Sequence, residues 1–129
     1  MFLFWNTAKI FARDPYSIQV SWAYEDTPIL DMFDDTVCDV ADMERRCDAG
    51  VDTHFIVRVD AIYHGHEFAS IRLGSCYAAD CSPEEEIEAG LAGYLEDLVD
   101  EVVAEADREL VRLNREILKD VQQVDKQPA

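Results

Sequence analysis

Positive charge is what this chain of 129 residues has least of: 11 Lys and Arg stand against 28 Asp and Glu, a formal net charge of −17. A surface so poor in cations has little to offer phosphates, which argues against direct binding of nucleic acid or of an anionic membrane. Long apolar runs are missing too. No stretch approaches the ~18 residues of a membrane span. The opening MFLFW lacks the basic flank and the length of a secretory leader, so the expectation is a cytoplasmic protein. There are only five glycines, and neither LGSC nor AGLAG matches a phosphate-binding fingerprint.

Metal and thiol chemistry fare no better. Cys38 and Cys47 fall on one predicted helix, ~13 Å apart along its axis and half a turn out of phase, so they cannot bridge. Cys76 and Cys81 enclose four residues, not the two of a zinc knuckle. The HGH stretch at His64–His66 and CYAADC are separated by ~33 Å of extended chain, which places them at opposite ends of a sheet. DMFDDTVCDVAD resembles a calcium loop but lacks the glycine at its sixth position and the closing glutamate. A Cys76 or Cys81 thiolate with His54, His64 or His66 as base is the one nucleophilic arrangement to consider, and neighbouring carboxylates would raise the thiol pKa. The residues point to a non-enzyme with no metal and no cofactor, its cysteines reduced.

What is present is a foldable core. Apolar residues make up 49% of the chain, and seven of the thirteen aromatics lie in the first 24 residues. FLFWNTAKIFARD reads as a short strand or as a short helix capped at Asn6. YSIQVSWAY alternates, with Ile18, Val20, Trp22 and Tyr24 on one face of a strand. A helix capped by Asp34 or Asp35 is expected to run to Asp48, burying Phe33, Val37, Val40, Ala41 and Cys47. On it Asp35, Asp39 and Asp42 would share one exposed stripe.

THFIVRVDAIY and EFASIRLGSCY form a hairpin about HGH. A three-residue loop pairs Val57 with Leu73, Val59 with Ile71 and Ala61 with Ala69, making one apolar face, but it sets Arg58 against Arg72. A two-residue loop relieves the arginines and scrambles that face. The first register is preferred, and it calls for an acid such as Asp60 beside the arginines.

Ser82, Pro83 and Glu85 start a helix with a capping box. Ile87, Leu91, Leu95, Leu98, Val102, Ala106, Leu110, Leu113, Ile117 and Val121 continue it for close to forty residues, with a kink allowed at Gly90 and Gly93. The predicted fold class is α+β: an antiparallel sheet of three or four strands, a short helix and a long acidic C-terminal helix packed on one face. Residues 1–121 form a single domain and 122–129 a frayed tail.

The acids are clustered. Residues 84 to 109 hold eleven against the single cation Arg108, and 25 to 48 hold nine against two. On a continuous helix the first cluster spans ~39 Å, one charge per ~3.5 Å, close to the ~3.4 Å phosphate rise of a DNA strand. The expected partner surface comprises Glu85, Glu86, Glu96, Asp97, Asp100, Glu101 and Asp107, with Asp35, Asp39 and Asp42 as a second row. The partner would be a basic protein surface built for nucleic acid. Past the acids, Leu110, Leu113, Ile117 and Val121 overhang any small sheet, so either the helix breaks and folds back or two chains associate as a homodimer. The alternative function is a dimeric structural or adaptor protein whose acidity serves solubility alone.

FIVRVDAIYHGHEFASIRLGSCY and GYLEDLVDEVVAEA make the chain resemble the small, strongly acidic proteins of phages and mobile elements, including anti-CRISPR and other DNA-mimic inhibitors. The resemblance implies an inhibitor of a nucleic-acid-handling complex, foremost a CRISPR–Cas effector, acting in the cytoplasm of a bacterial host. It carries over no catalytic residue.

Overall fold

The structure, a computed structural model, describes residues 3–126. Four antiparallel strands form one sheet in chain order: β1 (Asn6–Arg13), β2 (Tyr16–Tyr24), β3 (Thr53–Tyr63) and β4 (His66–Ala78). Between β2 and β3 lie α1 (Ile29–Met32) and α2 (Val40–Asp48). After β4 come α3 (Pro83–Glu88), a 3₁₀ turn (Leu91–Gly93) and α4 (Tyr94–Lys126). The fold is α+β, and the N-terminal segment left open between strand and helix is the edge strand β1.

Alternation along the central strands builds the core. Tyr16, Ile18, Val20 and Trp22 of β2 and Phe55, Val57, Val59 and Ala61 of β3 turn the same way, and all are buried. Against them lie Ile87 of α3, Leu91, and Leu95, Leu98, Val99, Val102 and Ala106 of α4. Burying each Val, Leu, Ile or Phe among them contributes about 1.5–3 kcal/mol, and this layer of helix on sheet is the main hydrophobic core of the described residues. Tyr24, on the same strand face, is 66% exposed at the strand end and packs its edge on Trp22.

The β3–β4 hairpin reaches the expected apolar register by an unexpected route. Tyr63 pairs with His66, so the turn is the two residues His64 and Gly65, both at positive φ. One extra residue, Phe68, then shifts the ladder and restores Ala61–Ala69, Val59–Ile71 and Val57–Leu73. Arg58 does face Arg72. Arg58 Nε donates to Asp60 at 3.1 Å, and the Trp5 ring lies 4.4 Å from one guanidinium and 5.1 Å from the other. A carboxylate was expected there; the aromatic ring was not.

The long helix is broken. Capping-box geometry starts α3 at Ser82 as expected, but Gly90, Leu91, Ala92 and Gly93 all have positive φ and end it. The expected helical stretch of close to forty residues, with its kink allowed at Gly90 and Gly93, is thus a six-residue helix followed by a 33-residue one of ~50 Å. Helix α4 continues five residues into the stretch expected as a tail, and residues 127–129 lie outside the described residues. No helix among the described residues is long and apolar enough to cross a membrane.

Candidate functional site

The acids of α4 sit where its packing leaves them. Leu95, Leu98, Val102 and Ala106 hold one side against the sheet, which forces Glu96, Asp97, Asp100, Glu101 and Asp107 outwards, and all five are exposed. With Glu105 and Glu109, seven carboxylates rise over ~20 Å of one helix, a spacing of ~3 Å. Glu85 and Glu86 belong to α3, across the break, so the expected 39 Å row is shortened by about half. Glu85 is exposed but spends its side chain on the capping box, and Glu86 is half-buried.

Part of this surface is tethered to the sheet. Arg13 of β1 reaches Glu96 at 3.1 Å and Asp100 at 3.6 Å, and Lys9 reaches Glu88 at 3.4 Å. Tyr16 donates to Asp107 at 2.6 Å, and Trp22 Nε1 donates to Glu84 at 2.8 Å. Burial, then Asp107, pushes the Tyr16 hydroxyl up to about 12, so it remains a donor at neutral pH. The ion pairs are exposed and therefore screened. Eleven carboxylates over residues 84–109 face Arg108, Lys9, Arg13 and Arg112, the last paired with Glu109, leaving seven negative charges in excess. Among the described residues, no ion pair engages Asp97 or Glu101.

The second row does not form. Phe33 is extended, Asp34 closes a turn on Thr36 (2.9 Å to N, 2.7 Å to Oγ1), and the helix begins only after Asp39. The reason is competition among aspartates, each able to bond nearby backbone N–H groups. Asp39 is consumed as the N-cap, accepting from Asp42 N at 3.1 Å; Asp35 accepts from Val40 N at 3.4 Å; Asp42 pairs with Arg45 at 3.2 Å. Of the apolar residues expected inside this helix, Val40 is buried, Phe33 and Cys47 are half-buried, and Val37 and Ala41 are exposed. Phe33 packs against His54 and Tyr77, which alternate with Phe55 and Cys76, so this region covers the sheet face away from α4. Asp35, Asp39 and Asp42 therefore drop out of the α4 surface.

Asp52 is a polar hub that sequence reasoning missed. It receives Arg46 Nε at 2.7 Å and Nη2 at 3.2 Å, Asp80 N at 2.9 Å, and the Tyr77 hydroxyl. Bonds from Arg46, then from Tyr77 and Asp80, hold its carboxyl down at about 2. This hub ties α2 to β3 and to the end of β4.

The thiol arrangement is not assembled. His64 and His66 sit at the hairpin turn, and His54 points to the face opposite Cys76. Burial pushes Cys76 up to about 11, helped by Glu25 and Glu86, and burial with Glu86 also raises Cys81. All four cysteines are free thiols. Among the described residues, no group of three or more His, Cys, Asp or Glu is placed to hold a metal ion.

The expected dimer residues divide. Leu110 and Leu113 are half-buried, while Ile117 and Val121 are 53% and 51% exposed, joined by Val111 and Leu118 at 50% and 59%. No protein-family model matches the chain, and no curated protein or solved structure is significantly similar to it.

Proposed function

We propose that this protein is a non-enzymatic inhibitor that docks the acidic face of α4 into a basic, nucleic-acid-binding groove of another protein, in place of the nucleic acid. The observation that carries this reading is the row of carboxylates along α4, with Asp97 and Glu101 outside the described ion pairs and a charge spacing near that of a phosphate backbone. A cation-lined groove gains from such a face as it gains from DNA, by charge pairing and counterion release. The resemblance to small acidic phage proteins makes a CRISPR–Cas effector the first target to try.

The test uses a panel of purified effectors with their guide and target DNA. One effector should lose DNA binding in the presence of the protein, and the affinity should fall steeply between about 50 and 200 mM salt. Changing Asp97, Asp100 and Glu101 together to Lys should abolish inhibition while leaving the melting temperature near that of the wild type. Inhibition that survives the triple reversal overturns the proposal.

A second reading is a dimeric adaptor, favoured by the exposed Val111, Ile117, Leu118 and Val121 beyond the core. The occupant would be a second copy. At ~100° per residue, Arg108, Arg115 and Lys119 flank one side of this apolar face and Asp120 the other, beside Glu109 and Glu116, which Arg112 of the same helix already pairs, so two parallel copies set opposite charges together. Sedimentation of the wild type against Ile117→Glu with Leu118→Glu tests it. A wild type that stays monomeric at high concentration removes the adaptor reading.

A further inference from the structure

Where α3 breaks from α4, the turn leaves a cleft of about 390 Å³ against the end of β4. Its walls are Leu73, Cys76 and Leu91 with the ring of Tyr94, which is 60% exposed at the mouth. Among the described residues, Glu86 is the one charged residue that lines it. Three non-glycine residues around it, Ser75, Leu91 and Ala92, adopt positive φ, a conformation that costs each about 1–2 kcal/mol. The cleft is thus held open by backbone that the surrounding packing must enforce.

Its chemistry is one-sided. An anion would meet Glu86, with Glu84, Glu85 and Glu88 on the same short helix. The positive end of α4 also points here, but Glu96 and Asp97 occupy its first turn and offset it. An apolar trough with an aromatic wall and a single carboxylate suits a long aliphatic stem ending in a planar cation. We infer that this cleft receives an arginine side chain of the partner protein, its stem on Leu73 and Leu91, its guanidinium between Tyr94 and Glu86. The inference rests on the reading of the acidic face as a dock for a basic protein. It adds a buried anchor at the start of that face, the kind of pocket in which interfaces concentrate their binding energy.

The test is an NMR titration of the full-length protein with hexa-arginine and hexalysine peptides. Backbone amides of Leu73, Leu91 and Tyr94 should shift saturably with hexa-arginine. Glu86→Gln should weaken that saturation at least about tenfold, the worth of one charged hydrogen bond. Tyr94→Ala, whose exposed ring adds little to the core, should weaken it about threefold. Shifts confined to residues 96–107 with silent cleft amides overturn the cleft and leave the acidic dock standing. No shift anywhere overturns both. An equal response to hexalysine, or an unchanged Glu86→Gln titration, overturns the assignment to arginine.

Discussion

Arg13 on the edge strand β1 lies 3.1 Å from Glu96 and 3.6 Å from Asp100, so one cation ties down two carboxylates of α4. Its side chain is 40% exposed and theirs are 73% and 62%, which limits each pair to about 0–1 kcal/mol. The two pairs together amount to at most about 2 kcal/mol, so Arg13→Ala should lower the melting temperature by no more than about 7 °C. It should also release both acids and tighten binding to a basic partner several-fold at low salt. Unchanged or weaker binding would show that Arg13 shapes the face rather than masking it.

Trp5 offers its ring to two facing arginines that would otherwise only repel. A cation over an aromatic ring contributes about 0.5–1 kcal/mol at a partly exposed site, and here one ring serves both Arg58 and Arg72. Trp5→Ala should cost about 1–2 kcal/mol in urea unfolding, and Trp5→Phe should recover part of it. Equal losses in the two variants would mean that ring packing on the guanidiniums contributes nothing.

The bonds from Arg46, Tyr77 and Asp80 N hold the Asp52 carboxyl down to about 2 in the folded protein, below its usual value near 3.8. Depression of a folded-state carboxyl stabilises the fold above the unfolded pKa, and that contribution disappears as pH falls through the folded one. The window is thus from about pH 4 down to about pH 2. Thermal melts across it should show the wild type losing stability more steeply than Asp52→Asn, whose amide cannot titrate. Parallel curves would remove Asp52 from acid unfolding.

Ala92 holds φ 56° in the turn between α3 and α4, and its side chain is exposed. Glycine takes that conformation without steric cost, so Ala92→Gly should stabilise by up to about 1 kcal/mol after its extra backbone entropy is counted. Chemical denaturation measures this directly. A clear destabilisation would mean that the alanine methyl packs on something the turn needs.

The sheet was legible because one of its faces is sealed. The alternation of Ile18, Val20 and Trp22, and the requirement that Val57, Val59 and Ala61 meet apolar partners, leave only one acceptable pairing. The helices were less so. Ile87, Leu91 and Leu95 keep a four-residue step straight through the break, so periodicity conceals it and only Gly90 and Gly93 hint at it. Asp34, Asp35 and Asp39 are all competent caps, and the choice of Asp39 depends on the turn that Asp34 closes with Thr36. Of the acidic surface, the α4 carboxylates could be read from their position opposite the leucines. The Asp52 hub could not: Tyr77 lies 25 residues away, and no local pattern marks the pair. Trp5 was equally silent, since its partners sit on strands more than fifty residues on.

The extra residue at Phe68 acts as a phase corrector for the outer strand from Ala69 to Leu73, and a second shift then brings Cys76 opposite Phe55. Had the ladder run on from the two-residue turn without it, Ser70 and Arg72 would have been delivered to the interior and Ile71 and Leu73 to water. Deleting that single position would turn β4 inside out, and with it the floor on which α4 rests.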